Sequence, residues 1–118
     1  MTDELIALLQ EEYNLPVRRQ GSLSPREGYP AEFFTFWNNP TESLAEYDNR
    51  SHATAWSYDV NFYSKDPARV MSVSLSAVDL LRNNGWIIDG KGHDVPSDEI
   101  THTGRGFTAI FREREVNT

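Results

Sequence analysis

Three histidines, His52, His93 and His102, are the side chains best suited to proton transfer or metal ligation near neutral pH. His93 and His102 share one stretch with Asp94 and Asp98, and imidazole with carboxylate is a donor set that zinc and similar cations take. Their spacing matches no known ligand motif and favours exposed or capping polar roles. Carboxylate pairs for glycosidase-like or nuclease-like chemistry can be drawn from Asp48, Asp59, Asp98 or Glu99. With 18 acidic residues in 118, some pair is always at hand, so the choice carries almost no information. The chain has no G-x-S-x-G, and no histidine and carboxylate accompany a serine in a recognisable order. Gly104-Arg105-Gly106 combines glycine amides with a guanidinium, which suits phosphate or carboxylate. It lacks the lysine and following helix of a P-loop and reads as a hairpin turn with an exposed arginine.

The elements that must position these groups follow from periodicity. Leu5, Ile6, Leu8, Leu9 and Tyr13 recur at helical spacing behind Thr2, Asp3 and Glu4, which predicts a helix over residues 3–13. Asn14 and Pro16 end it, Val17 to Arg19 starts a short strand, and Gly21, Ser22, Ser24, Pro25, Gly28 and Pro30 make a turn-rich connection. AEFFTFW, residues 31–37, predicts a strand with Phe34 and Phe36 on one face and Phe33 and Trp37 on the other. Aromatics on both faces imply either burial on both sides or one side facing a partner. The polar run after Pro40 predicts a loop or one helical turn, since Ser43 and Glu46 match a capping box with no apolar run behind it. From His52 to Ser64 the chain alternates, with Trp56, Tyr58, Val60 and Phe62 on one face and Ser57, Asp59 and Asn61 on the other.

Asp66-Pro67 is a strong helix start, and the helix runs to Asn84 with Gly85 as its stop. Val70, Val73, Ala77 and Leu81 form one apolar strip and Met71, Leu75 and Val78 an adjoining one, giving a broad face for burial. Trp86 to Ile88 is a short strand, Asp89-Gly90-Lys91-Gly92 a turn, and residues 99–103 and 106–113 are extended on either side of a tight turn or bulge at Arg105. The tail EREVNT is expected to fray. These elements give an α+β fold, a mainly antiparallel sheet packed against one N-terminal and one central helix, in a single domain over residues 1–118.

Composition narrows the function classes. A 38% hydrophobic, 25% charged chain is globular, and 12% aromatic residues supply much of its core. A formal net charge of −7 repels phosphate backbones and anionic membranes, so neither specific nucleic-acid binding nor membrane binding is expected. Arg18, Arg19 and Arg26 read as a solvated face. The absence of cysteine excludes thiolate catalysis, Cys-ligated zinc and disulfides, and fits a reducing compartment. MTDELIALLQEEY lacks the basic and apolar regions of a secretory signal, so Asn49-Arg50-Ser51 is not expected to carry a glycan.

Asp48-Asn49, His52, Trp56, Tyr58-Asp59-Val60-Asn61-Phe62-Tyr63-Ser64, Pro67, Gly85-Trp86, Asp98-Glu99 and Thr101-His102-Thr103-Gly104-Arg105-Gly106, in that order, resemble small prophage-encoded tail proteins of long-tailed phages. The nearest class is the tail terminator, or tail completion, group of neck proteins that join head to tail. The likeness covers most of the chain from about Ala31 onward, and Val17 to Gly28 matches no family pattern. It implies a non-enzymatic structural subunit with no catalytic, cofactor or metal residue. Such a subunit forms a ring, typically hexameric, on the tail tube and meets the head connector, in the host cytoplasm during assembly and then in the virion neck. Partners are then further copies of the chain, the tube and the connector. Candidate interface residues are Phe33, Trp37, Asp48, Tyr63, His102 and Arg105, with loops 38–51 and 89–105 as stacking contacts. The alternatives are a small acidic binding or regulatory module and a metal-dependent hydrolase built on the histidines between 93 and 102.

Overall fold

A computed structural model of the chain describes residues 2–19, 30–39, 42–43, 51–97 and 101–116. The described elements are α1 (Thr2–Tyr13), β1 (Val17–Arg19), β2 (Glu32–Asn38), β3 (Glu42–Ser43), β4 (Ser51–Ser64), α2 (Pro67–Asn83), β5 (Ile87–Val95) and β6 (Thr103–Val116). The six strands form one sheet in the order β1-β2-β4-β6-β5, with the short β3 paired to β4 off this path. β1 runs parallel to β2 and every other pairing is antiparallel, so the fold is α+β with a mainly antiparallel sheet and two helices.

The alternation of β4 sets the two faces of the sheet. Tyr58, Val60 and Phe62 are fully buried beneath the helices, together with Phe34 and Phe36 of β2 and Phe107 and Ala109 of β6. Leu5 and Leu9 of α1 and Val73, Ala77 and Leu81 of α2 close this core from above. Helix α2 starts where the sequence places its start: the Asp66 carboxylate accepts from the Ala68 N–H at 3.0 Å, and Pro67 follows in the first turn. At the other end Gly85 takes φ of +89°, and the Trp86 N–H donates to the Leu81 carbonyl, so strand β5 follows with almost no slack. Asn14, also left-handed at φ 52°, turns the chain out of α1.

Three expectations about the C-terminal third are corrected. Asp89 to Gly92 is not a turn between elements but part of β5, which shifts register between Asp89 and His93 through a bulge where Gly90 and Gly92 adopt positive φ. Gly104-Arg105-Gly106 is not a hairpin turn either, since β6 passes straight through it, paired to Asn61–Tyr63 on one side and His93–Val95 on the other. The tail does not fray before Val116, which pairs with Ser51. After Pro40, β3 pairs Glu42 and Ser43 with Ala55 and Thr54, and residues 44–50 lie outside the described set.

Leu81 is fully buried where α2 crosses the sheet. Leu81→Ala is expected to lower the unfolding free energy by about 2–5 kcal/mol in urea titrations followed by circular dichroism.

Candidate functional site

Phe33, Tyr63 and His102 converge at one corner of the sheet, on the face opposite the helices. Phe33 and Tyr63 are register partners on β2 and β4, with rings stacked at 5.1 Å between centroids, and the His102 ring tilts against Phe33 at 5.8 Å. His102 Nε2 lies 2.7 Å from the Pro30 carbonyl oxygen, and Nδ1 lies 3.0 Å from the Thr101 hydroxyl. A carbonyl only accepts, so Nε2 carries a proton and donates to Pro30. Both ring nitrogens are thus engaged by groups of the chain itself.

This corner is a packing feature of the chain itself. Phe33, Tyr63 and His102 are 4%, 6% and 6% exposed, so within one copy they present little surface to a partner, and of the two alternatives for the 31–37 strand Phe33 takes burial. Gly104 explains why. A β-carbon there would lie 2.6 Å from Tyr63 Cε1 and 2.8 Å from Val95 Cγ2, and one at Gly106 would meet Asn61 Oδ1. Both glycines are spaces into which side chains of the adjacent strands fit. With β4 and β5 pairing on either side, the amides of residues 104–106 serve the ladders and form no anion-binding nest.

Arg105 points to the helix side and donates to Asp94 Oδ1 at 3.0 Å, a pair whose carboxylate is almost fully exposed and which therefore adds little stability. Beside it a groove of about 440 Å³ opens between the first turns of α2 and the ends of β5 and β6, with Val70, Met71, Val95 and Pro96 among its walls. His93 is exposed on β5, away from the buried His102, so the structure does not bring the two histidines together as ligands. Among the described residues no group of three or more histidines and carboxylates could hold a metal ion. Asp48, Asp98, Glu99 and Arg26 lie outside the described residues.

The uncovered sheet face carries a ladder of polar side chains. Asp59 Oδ1 accepts from Asn39 Nδ2 at 3.2 Å and from the Thr108 hydroxyl at 3.0 Å, while Asn39 also donates to the Ser57 hydroxyl at 3.1 Å. Asp59 is thus a hydrogen-bonded strut between β4, β6 and the end of β2. Trp37, on the same face, is about half exposed and is the one expected aromatic candidate that stays open to a partner. Met71 and Leu75 of α2 and Ile87 of β5 are also exposed. The second apolar strip of α2 is therefore left largely uncovered.

The periodicity of single elements could not reveal the clamp at the start of α2. Arg69 grips Glu32 through Nε and Nη2 at 3.0 and 3.1 Å, the Ser64 hydroxyl donates to the same carboxylate at 2.9 Å, and the Asp66 N–H donates to Ser64 Oγ at 3.0 Å. The Arg69 hydrogen bonds hold the Glu32 carboxyl below the ordinary glutamate range, against the opposing effect of burial. Asp66-Pro67 announces the helix, but Glu32 is 37 residues from Arg69 and gives no local signal.

No protein-family model matches the chain, and no curated protein matches it. What the coordinates define is the class of fold: a mainly antiparallel α+β sheet with helices on one face and a polar ladder on the other.

Gly104→Ala is expected to destabilise by about 1–3 kcal/mol in urea titration, with a smaller penalty in a Tyr63→Ala background where the opposing ring is gone. The lowered Glu32 value means that its contribution is present above the unfolded glutamate value of about 4.3 and is lost as pH falls through the folded value. Stability measured from pH 6 downward should fall less steeply for Glu32→Gln than for the native chain.

Proposed function

We propose that the chain is a structural assembly subunit, with the tail terminator or tail completion proteins of long-tailed phages as its nearest class. In that role it forms a ring, hexameric in the finished tail, at the head-proximal end of the tail tube and joins the tube to the head connector. The sequence likeness from about Ala31 onward suggests the family, and one structural observation supports assembly independently.

That observation is the length of the β4–β6 ribbon. Each strand has 14 residues, about 45 Å at strand spacing, whereas the 17 residues of α2 cover only about 25 Å. Trp56 and Phe111 meet at the end of the helix layer, where Trp86 packs on Phe111 with ring centroids 5.3 Å apart. Beyond them Ser51–Ala55 and Arg112–Val116 continue as a ribbon that, among the described strands, only β3 supports. The molecule extends 52 × 28 × 24 Å with a radius of gyration of 15.7 Å, against about 13.5 Å for a compact chain of this length. A two-stranded ribbon is barely stable alone in water, and contact with another subunit supplies what this arm lacks.

The net charge of −7 suits the role, because a ring wall that held phosphates would retard DNA passing through it. Contact with the tube and connector then falls to the arm and to Trp37 rather than to a loop at 89–105, most of which is paired strand.

Size-exclusion chromatography with light scattering, followed by negative-stain imaging over rising protein concentration, tests the reading. Ring-shaped particles of defined mass are expected. A chain that remains monomeric at its highest attainable concentration, alone and with its tube protein, overturns it.

A further inference from the structure

Resting on the assembly reading, the sheet edges suggest how one copy meets the next. We infer that copies join head to tail, with the β1 edge of one, Val17–Arg19, added beside the β5 edge of its neighbour, Ile87–Val95.

Among the described strands, β1 and β5 are the two outer ones of the sheet, so a β1–β5 junction uses different surfaces on the two partners. That is the heterologous geometry from which closed rings are made. Strand direction agrees. β1 runs with β2, and successive antiparallel pairings through β4 and β6 leave β5 running opposite to β1. A neighbour rotated about an axis along the strands therefore presents β1 antiparallel to β5, with both helix layers on the same side. The sheet continues from subunit to subunit without reversing its faces.

Charge and face agree as well. The β1 edge carries Arg18 and Arg19, both exposed, while the β5 edge carries Asp89 and Asp94, both exposed. Val17 and Arg19 pair in register with Phe34 and Phe36 and so belong to the helix side, as Asp94 does through its partner Arg105. Arg18 belongs to the open side, as Asp89 does through Thr108. In either register one arginine meets an aspartate on its own face, Arg18 opposite Asp89 or Arg19 opposite Asp94, the latter beside the Asp94–Arg105 pair. β1 is only three residues long, and β5 offers regular backbone at Ile87–Asp89 and at His93–Val95, on either side of its bulge.

The apolar surface completes the match. Met71 and Leu75, 45% and 53% exposed, lie one turn apart on the flank of α2 above β5, and Ile87 is exposed on the opposite side of that strand. Across the junction, the neighbour's α1 lies over its β1. Its half-buried Leu8 stands about 140° around the helix from Tyr13, whose hydroxyl bonds Ser76 of α2, and so belongs to the outward flank. Leu8 of one copy then covers Met71 and Leu75 of the next.

Two reversed variants test the pairing, with folding checked by circular dichroism. R18E/R19E makes both edges acidic, and D89K/D94K makes both basic. Each alone is expected to lose assembly by tenfold or more in concentration, and an equimolar mixture should regain rings in which the two alternate. Leu75→Glu should abolish assembly while leaving the monomer folded. If both reversed variants assemble like the native chain, the β1–β5 junction is wrong and the assembly reading stands. Loss in each variant without recovery in the mixture also overturns this pairing. A native chain that never assembles removes both.

Discussion

Everything in this fold hangs on one uninterrupted pairing, the 14 register partners from Ser51↔Val116 to Ser64↔Thr103 that join β4 to β6. A slip of one residue would turn Tyr58, Val60 and Phe62 to the solvent face and present Ser57, Asp59 and Asn61 to the helices. The register is held from both faces. Beneath the helices Phe107 and Ala109 oppose Val60 and Tyr58, and on the open face Gly104 and Gly106 are the places where the side chains of Tyr63 and Asn61 lie over the strand. A side chain at either glycine would push β6 away where β5 must also pair. The same requirement explains why Gly-Arg-Gly, which suggests an anion cradle by its composition, is a strand segment here.

From that pairing the helices follow. The end of β4 passes into α2 through Lys65 and Asp66, and the Glu32–Ser64–Asp66–Arg69 clamp ties this corner to β2. Gly85 then returns the chain directly into β5, so α2 lies back across β4, β6 and β5. α1 fills the remaining half of the layer. The hydroxyls of Thr2 and Tyr58 meet at 2.7 Å, and Tyr13 packs on Phe34 while its hydroxyl reaches Ser76. Polar contacts at the rim thus orient a helix attached otherwise by the burial of Leu5 and Leu9, with Ile6, Leu8 and Tyr13 packed against the same core.

What could be read from the sequence was what local physics decides. The alternation of His52–Ser64, the Asp66-Pro67 start and the Gly85 stop each depend on neighbours in the chain, and each element stands where they put it. What could not be read was decided by strands far apart. Glycine normally punctuates, so residues 89–92 and 104–106 read as turns. In the structure they are a bulge and two close approaches, because their cross-strand neighbours demand the space. The burial of Phe33, Tyr63 and His102 has no local signal for the same reason: the rings that pack on Phe33 lie 30 and 69 residues after it. The second strip of α2 failed in the opposite sense. Met71, Leu75 and Val78 have the spacing of a buried face, but the sheet ends at β5 and leaves Met71 and Leu75 exposed.

A sheet with two outer strands has two edges that can pair with any extended chain, and both are blunted here by different means. β5 is interrupted by its bulge and bears Asp89, His93 and Asp94, while β1 is three residues long and bears two arginines. Either device alone deters a like edge, since a second β5 would oppose aspartate to aspartate and a second β1 arginine to arginine. Neither deters the other edge. The charges that make each edge unreceptive to its own kind leave the unlike pairing as the one without repulsion, and the exposed strip of α2 lies on that side of the sheet. Specificity of this sort needs no strong contact at any single residue. It needs only that the alternatives be worse, as a junction of like edges would be, with aspartate facing aspartate or arginine facing arginine.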